Sequence, residues 1–418
     1  MTNEYQVAST NVNHVKLKPK LSFAEILAIV LICGQIVLYS FMWFRLLKDP
    51  SLKTMDFIGF YAVGRIAGQG NYQLLFDLDT QRAVQQIIVP EFYSGRVNFN
   101  QHPPYLAPLL SLLAVDDFVH SYILWTLVRL VVLAICGELI RGFLLHSGLN
   151  PLAALLVTLS SLCFFPFFIG LLGGQDTVFI MFGLFLWMFG LLEAREIRAG
   201  VGLALASLSP LIAVALGFPL LITRRKASVW FILAIFVLML YSLALIGIQG
   251  GKDFVGLMRL SSQGGDYGLN QFAMYNLLGL LIRTFPSLSI DKVHSIIWIA
   301  YAVFILAMCV LWWNKRDYLT IKHISIAVVL GTFTSPHLHL HGLSFLLLPL
   351  LGMVVILHDR GNTSFALILI PAVSSLLVII MFLIPAWNFA AYYLLMLAML
   401  LGFIMLKPPV MLHKNLSV

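Results

Sequence analysis

The chain has 418 residues, of which 60% are hydrophobic and only 11% charged. A soluble domain carries roughly 25% charged residues, so an ordinary globular protein is excluded and a polytopic membrane protein is indicated. The net charge of +8 does not point to nucleic acid, because the basic residues stand in short clusters between apolar blocks, where membrane topology accounts for them.

The apolar blocks lack the alternation of barrel strands, so an all-α chain is expected. Cys33, Cys136, Cys163 and Cys309 lie inside apolar segments without metal-binding spacing and read as packing residues. Residues 1–22 form a polar tail whose Lys16, Lys18 and Lys20 place it in the cytoplasm by the positive-inside rule. No cleavable signal peptide is expected, since the first apolar block is long enough to remain as a helix. A span over 23–46 leads into a first outside loop, 48–118, that opens on Asp56. The loop carries amphipathic helices, one over 78–89. A second apolar piece over 103–115 is short of the ~20 residues a span needs and reads as interfacial or re-entrant.

Spans over 119–145, 151–169 and 176–193 follow. The block 199–222 reads as two half-length helices breaking at Ser209-Pro210, because a single span would carry the cluster Arg224, Arg225, Lys226 to the wrong face. After a span over 227–247 comes a second long outside loop, 248–292, with Gly250, Gly251, Gly264, Gly265 and Asn270. Spans over 293–313, 323–335, 343–357, 363–383 and 389–406 complete the chain. A tail over 407–418 keeps Lys407 and Lys414 inside. The layout is one transmembrane domain, 23–406, of about 12 helices, two of them short, with both termini cytoplasmic and every basic cluster on one face. No internal repeat is visible, so an inverted-repeat transporter plan finds no support.

The outward ends collect the polar chemistry: Asp56, Arg65, His102, Gln175, Asp176, Asn270, Arg283, His337, His339 and His341. Asp56 is either a general base, strengthened by partial desolvation at the membrane surface, or the cap of a helix starting at Phe57. Arg65 is either a phosphate ligand or an interfacial arginine reaching to headgroups. The alternation of His337, His339 and His341 suggests a metal, but no acidic residue stands beside it in sequence to complete a set. Hydrogen-bonding or phosphate-contacting histidines are preferred, and neither a metal nor another cofactor is expected. Gln175 and Asp176 follow a Gly173-Gly174 turn, where Asp176 caps a helix or binds a sugar hydroxyl. Arg129 lies mid-span, where charge is costly and usually paired or functional. Glu138, nine positions on, falls on the opposite helix face, so the sequence names no partner. Gly68-Gln69-Gly70-Asn71 is not a nucleotide loop, since no strand precedes it and no Lys-Ser/Thr follows.

Several motifs stand in an informative order: Asp56-Phe57 with Tyr61, Gly70 and Phe76-Asp77; His102 to Pro108; Gly174-Gln175; Gly200 to Ala206 before a proline; Ser335-Pro336-His337 before Pro349. The chain resembles the polyprenyl-phosphate-mannose-dependent glycosyltransferases of family 87, in the C-type (GT-C) superfamily, over about residues 50–350. The resemblance implies a GT-C-like helical bundle with a long first outside loop. It implies transfer of a hexose, mannose first, from a polyprenyl-phosphate-sugar donor to a lipid or glycan acceptor at the extracytoplasmic leaflet. Asp56 would then be the base on the acceptor hydroxyl, with inversion at the anomeric carbon. The implied setting is the plasma membrane of a prokaryote. Relatives commonly place a lysine before the proline of the short helix pair, where this chain has Ser209. Two other readings stay open. A transporter or flippase of a lipid-linked precursor is favoured by Arg129. A non-catalytic member of the fold is favoured by Ser209.

Overall fold

The computed structural model describes residues 21–90, 98–263, 270–315 and 319–406. Most of both expected tails, Gly264, Gly265, Arg316 and Asp317 lie outside the described residues. Among those described, all regular structure is helical. Helix α1 (Phe23–Leu47) starts at a reciprocal cap in which Ser22 Oγ accepts from the Glu25 amide and the Glu25 carboxylate accepts from the Ser22 amide at 2.7 Å. The first loop is itself largely helical: α2 (Phe57–Gly68), α3 (Leu78–Ile88) and α4 (Ala107–Leu113). Helix α2 is apolar apart from Arg65 in its last turn and has ten of its twelve residues buried, which makes it part of the bundle's interior.

Helix α5 (Phe118–His146) is capped by Asp117, whose carboxylate accepts from the His120 amide at 2.7 Å. The expected span over 151–169 is broken into α6 (Pro151–Leu162) and α7 (Phe165–Leu172), bent by 46°. Pro166 has no amide hydrogen to continue the ladder. Ser374 mends the break: its hydroxyl accepts from the Phe165 amide at 2.9 Å and donates to the Cys163 carbonyl at 3.0 Å. Helix α8 (Thr177–Leu192) is buried along nearly its whole length and forms the centre of the bundle. The short pair is present as α9 (Glu196–Leu205) and α10 (Pro210–Thr223), broken at Ser209-Pro210 with the proline in the first turn.

Segment α11 (Arg225–Gln263) carries helix on past residue 247, where a loop was expected, as two helical parts joined at Gly247, whose φ of +66° is non-helical. The continuation holds because Leu257 is buried and Phe254 packs on Phe76, ring centres 4.8 Å apart. The second loop also contains α12 (Leu277–Thr284). Helices α13 (Ile290–Trp313), α14 (Ile321–Thr334), α15 (Leu347–Asp359), α16 (Thr363–Leu383) and α17 (Asn388–Met405) complete the bundle, with a 3-10 segment, Leu340–Leu346, leading into α15.

Seven helices among the described residues are long and apolar enough to cross a membrane, or eight with the bent α6–α7 pair as one span. The rest of the expected dozen are α8, α9, α10 and α14, each shorter than the ~20 residues of a straight span. The outer helices expose apolar side chains such as Phe41, Val229, Phe236, Met239, Leu306 and Leu397. Such continuous apolar surface needs lipid to cover it.

Candidate active site

Asp56 occupies the cap position before α2, but its side chain makes no cap hydrogen bond. The carboxylate turns instead toward a cavity of about 680 Å³ lined by Asp56, Phe60, Asn98, His102, Gln175, Asn270, His337, His339 and His341, among others. Seven of the ten residues expected at the outward ends therefore share one wall system, although they come from five separated stretches of sequence. One Asp56 oxygen accepts a short hydrogen bond from Gln175 Nε2, and the other accepts from Asn98 Nδ2 at 3.4 Å.

The turn that carries Gln175 is built for this contact. Gly174 has φ +79°, a conformation costly for residues with a Cβ, and a Cβ there would sit 2.5 Å from Phe57 Cβ. The Phe57 amide donates to the Gly173 carbonyl at 3.2 Å, so the turn is hooked directly onto the first residue of α2. Asp56 and Gln175 are held in register by this backbone docking.

Asp176, the next residue, is likewise at a cap position without a cap bond. It is buried, and its Oδ2 lies 2.9 Å from His102 Nδ1. The His102 ring stacks on Phe60, centres 4.7 Å apart. Burial pulls the His102 imidazole down, but Asp176 beside it and Asp56 farther off outweigh burial and hold it above the ordinary histidine value. The segment leading to His102 is braced from α3. Gln85 exchanges hydrogen bonds with the Asn98 backbone at 2.8 and 3.1 Å, and the Asn100 amide donates to Gln81 Oε1 at 3.0 Å. This close approach passes over Gly59, where a Cβ would meet the Asn98 carbonyl at 2.8 Å. Asn98, Gln81, Gln85 and Phe60 were not singled out in the sequence. The two glutamines at spacing four on an amphipathic helix were the available signal.

The histidines form the opposite wall. The rings of His337 and His339 are 4.8 Å apart and nearly perpendicular, and those of His339 and His341 are 6.2 Å apart. Burial, and then the neighbouring histidines, push His337 well below the ordinary value. Burial also lowers His339, with Asp56 opposing. Both are therefore neutral near pH 7, and His337 Nδ1 is buried without a hydrogen-bond partner. The segment is tied to the second loop by Tyr275, whose amide donates to the Leu338 carbonyl at 3.0 Å, and by Asn276 Nδ2, which donates to the Ser335 carbonyl at 2.6 Å. Among the described residues no set of three histidine, cysteine or acidic side chains is arranged to hold a metal ion.

A second cavity, of about 370 Å³, adjoins the first and shares Gln101, His102, His337, His339 and His341 with it. Its other walls are mostly apolar and include Ile180, Leu208, Met258 and Trp298, with Ser209, Pro210 and Leu211 at the start of α10. No lysine or arginine is among the described residues lining either cavity. The two arginines expected at the outward ends are engaged elsewhere. Arg65 pairs with the exposed Asp116 at 2.6 Å. Arg283 donates to the Phe272 and Met274 carbonyls at 2.7 and 2.8 Å and to Tyr393, with its guanidinium 3.6 Å above the Phe389 ring.

The arrangement offers a carboxylate acceptor, a histidine paired with a buried carboxylate, and a wall of neutral imidazole donors at the junction of a polar and an apolar chamber. A family model described as glycosyltransferase family 87 matches residues 100–336, more than half of the chain. The match takes in His102, Gln175, Asp176, Asn270 and Arg283, ends just before His337, and begins after Asp56. No curated protein and no solved structure matches the chain.

Proposed function

Since the chain belongs to glycosyltransferase family 87, and is thus a membrane glycosyltransferase of the GT-C fold, we propose that it moves a hexose, mannose first among candidates, from a polyprenyl-phosphate donor to a lipid or glycan acceptor on the extracytoplasmic side. The observation that carries this reading is the Asp56 carboxylate. It leaves its cap position to face the polar chamber beside a histidine wall shared with an apolar one. A donor with a polar head and a long apolar tail fits such a pair of chambers. The tail leaves past Trp298 and the start of α10, and the sugar phosphate lies at the shared histidines. The acceptor hydroxyl enters from the polar chamber.

In the transfer the acceptor oxygen forms the new bond to the anomeric carbon and its proton passes to Asp56. The bond from that carbon to the phosphate oxygen breaks on the opposite face, with inversion, and the lipid phosphate leaves with the electron pair. Gln175 and Asn98 hold the Asp56 oxygens by hydrogen bonding. His102, biased toward its cationic form by Asp176, and the neutral imidazoles supply donors to the leaving phosphate. That assignment answers the Ser209 position, where relatives place a lysine: histidines supply what a fixed cation supplies there.

The test is transfer from labelled polyprenyl-phosphate-mannose in membranes, comparing wild type with Asp56→Asn. Loss of a general base costs about 10²–10⁴-fold, so the variant is expected to lose at least about a hundredfold while staying folded. Equal transfer by the variant removes Asp56 from the base role. No transfer by wild type from any polyprenyl donor, together with flux of a lipid across the bilayer, replaces the reading by a transporter.

A further inference from the structure

Arg129 is fully buried in α5 and makes no direct ion pair with an acidic side chain among the described residues, Asp176 acting on it only through space. A charge so placed is costly, and an uncharged side chain would hold the helices together at less cost. Each of its three nitrogens has a destination. Nη1 donates to the Leu171, Gly170 and Gln175 carbonyls at 2.8, 3.3 and 3.4 Å, Nη2 to Thr126 Oγ1 at 2.6 Å, and Nε to the Trp125 carbonyl at 3.3 Å. Gly170 and Leu171 are at the C-terminal end of α7, where the helix dipole is negative and their carbonyls also accept from the Gln175 and Gly174 amides at 2.9 and 3.2 Å. Two neighbours on α5 grip the same turn. Tyr122 donates its hydroxyl to the Leu172 carbonyl at 2.8 Å, and Trp125 donates its indole N–H to the Gly174 carbonyl at 2.7 Å. Arg129 lines neither of the two cavities.

We infer that Arg129, with Tyr122 and Trp125, is a positioning residue that fixes the 170–175 turn and so sets Gln175 against Asp56 and Asp176 against His102. The guanidinium is the one side chain with enough donors to gather the end of α7 and the Gln175 carbonyl at once. A displacement of about 1 Å in a supporting element is enough to cost about a hundredfold in rate. This inference rests on the transferase reading for its kinetic consequence, but not for its structural one.

Two readouts test it. In transfer assays Arg129→Met is expected to lower kcat about a hundredfold with KM within about threefold. Arg129→Lys, which keeps the charge and some of the donors, is expected to recover at least about tenfold of that loss. The second readout needs no turnover. In a Gln175→Cys background, labelling by a membrane-impermeant thiosulfonate is expected to quicken at least about fivefold when Arg129→Met frees the turn, and to return toward the parent rate with Arg129→Lys. Where Arg129→Met does not fold, Tyr122→Phe removes one tether of the same turn and is expected to quicken labelling in the same direction. A kcat within about threefold of wild type, or labelling unchanged by the variant that folds, overturns the proposal. If wild type transfers no sugar, the transferase reading falls and the labelling result alone decides the role of Arg129.

Discussion

The docking of the Gly173-Gly174 turn onto α2 makes a sharp prediction from two adjacent glycines. Gly174→Ala places a methyl 2.5 Å from Phe57 Cβ and 3.1 Å from Phe57 Cα, whereas carbon atoms rest about 3.5–4.0 Å apart. The turn and the start of α2 must therefore part by about 1 Å or more. The left-handed φ of +79° adds about 1–2 kcal/mol of strain for an L-residue, and overpacking a buried contact adds about 1–3 kcal/mol. The separation falls between Asp56 and Gln175, whose charge-assisted hydrogen bond is worth about 1.5–3 kcal/mol. Gly173→Ala is the internal control: that position has an ordinary backbone and meets nothing nearer than 3.4 Å. In transfer kinetics with thermal unfolding of the purified protein, Gly174→Ala is expected to lose about a hundredfold in kcat/KM and to melt earlier. Gly173→Ala is expected to stay within about threefold of wild type. Wild-type kinetics for Gly174→Ala, or equal losses for the two variants, would refute the claim that this docking aligns the site.

The pH dependence of stability follows from His102, whose folded value is raised. Its stabilising contact is fully present below the unfolded value of about 6.5 and is lost as pH rises through the folded one. His102→Gln should therefore cost more stability near pH 6 than near pH 8.5 in thermal melts. A constant loss across that range would count against the Asp176 pairing. His337 and His339 act in the opposite sense, since burial lowers them, and they favour the folded state above about pH 6.5. The two arginines expected at the outward ends should separate. Arg65→Met breaks an ion pair with a nearly fully exposed Asp116, worth about 0–1 kcal/mol, and a long hydrogen bond to the Ala114 carbonyl at 3.4 Å, and transfer should stay within about threefold. Arg283→Met strips two backbone carbonyls and Tyr393 of a charged donor, at about 1.5–3 kcal/mol per bond. Its effect should appear first as a lowered melting temperature rather than a changed KM for donor.

Composition was enough to place this chain in a membrane, because 60% apolar residues in long blocks leave no other solvent for the outer helix faces. The charge cluster after residue 223 made the pair around Ser209-Pro210 legible, with the proline's missing amide hydrogen marking where it breaks. The break at Cys163-Phe164 was not legible in the same way. Pro166 alone would have kinked a span, and it is Ser374, more than two hundred residues later, that makes an open break tolerable. The helical run past Gly247 was hidden for a similar reason: the residues that hold it, Phe76 against Phe254, lie far apart in sequence.

For the site, the sequence by itself determined which polar groups gather at helix ends, because span length and composition fix where the chain turns. It left Asp56 and Asp176 between capping and chemistry, since both occupy true cap positions. Only the tertiary structure decided that neither carboxylate caps, because the competing partners, Gln175 for Asp56 and His102 for Asp176, arrive from other helices. It also drew Arg65 and Arg283 away from the cavities and gave Arg129 its carbonyls. Periodicity records which face a side chain occupies. Who meets it there depends on packing among distant segments, and a single sequence does not carry that information.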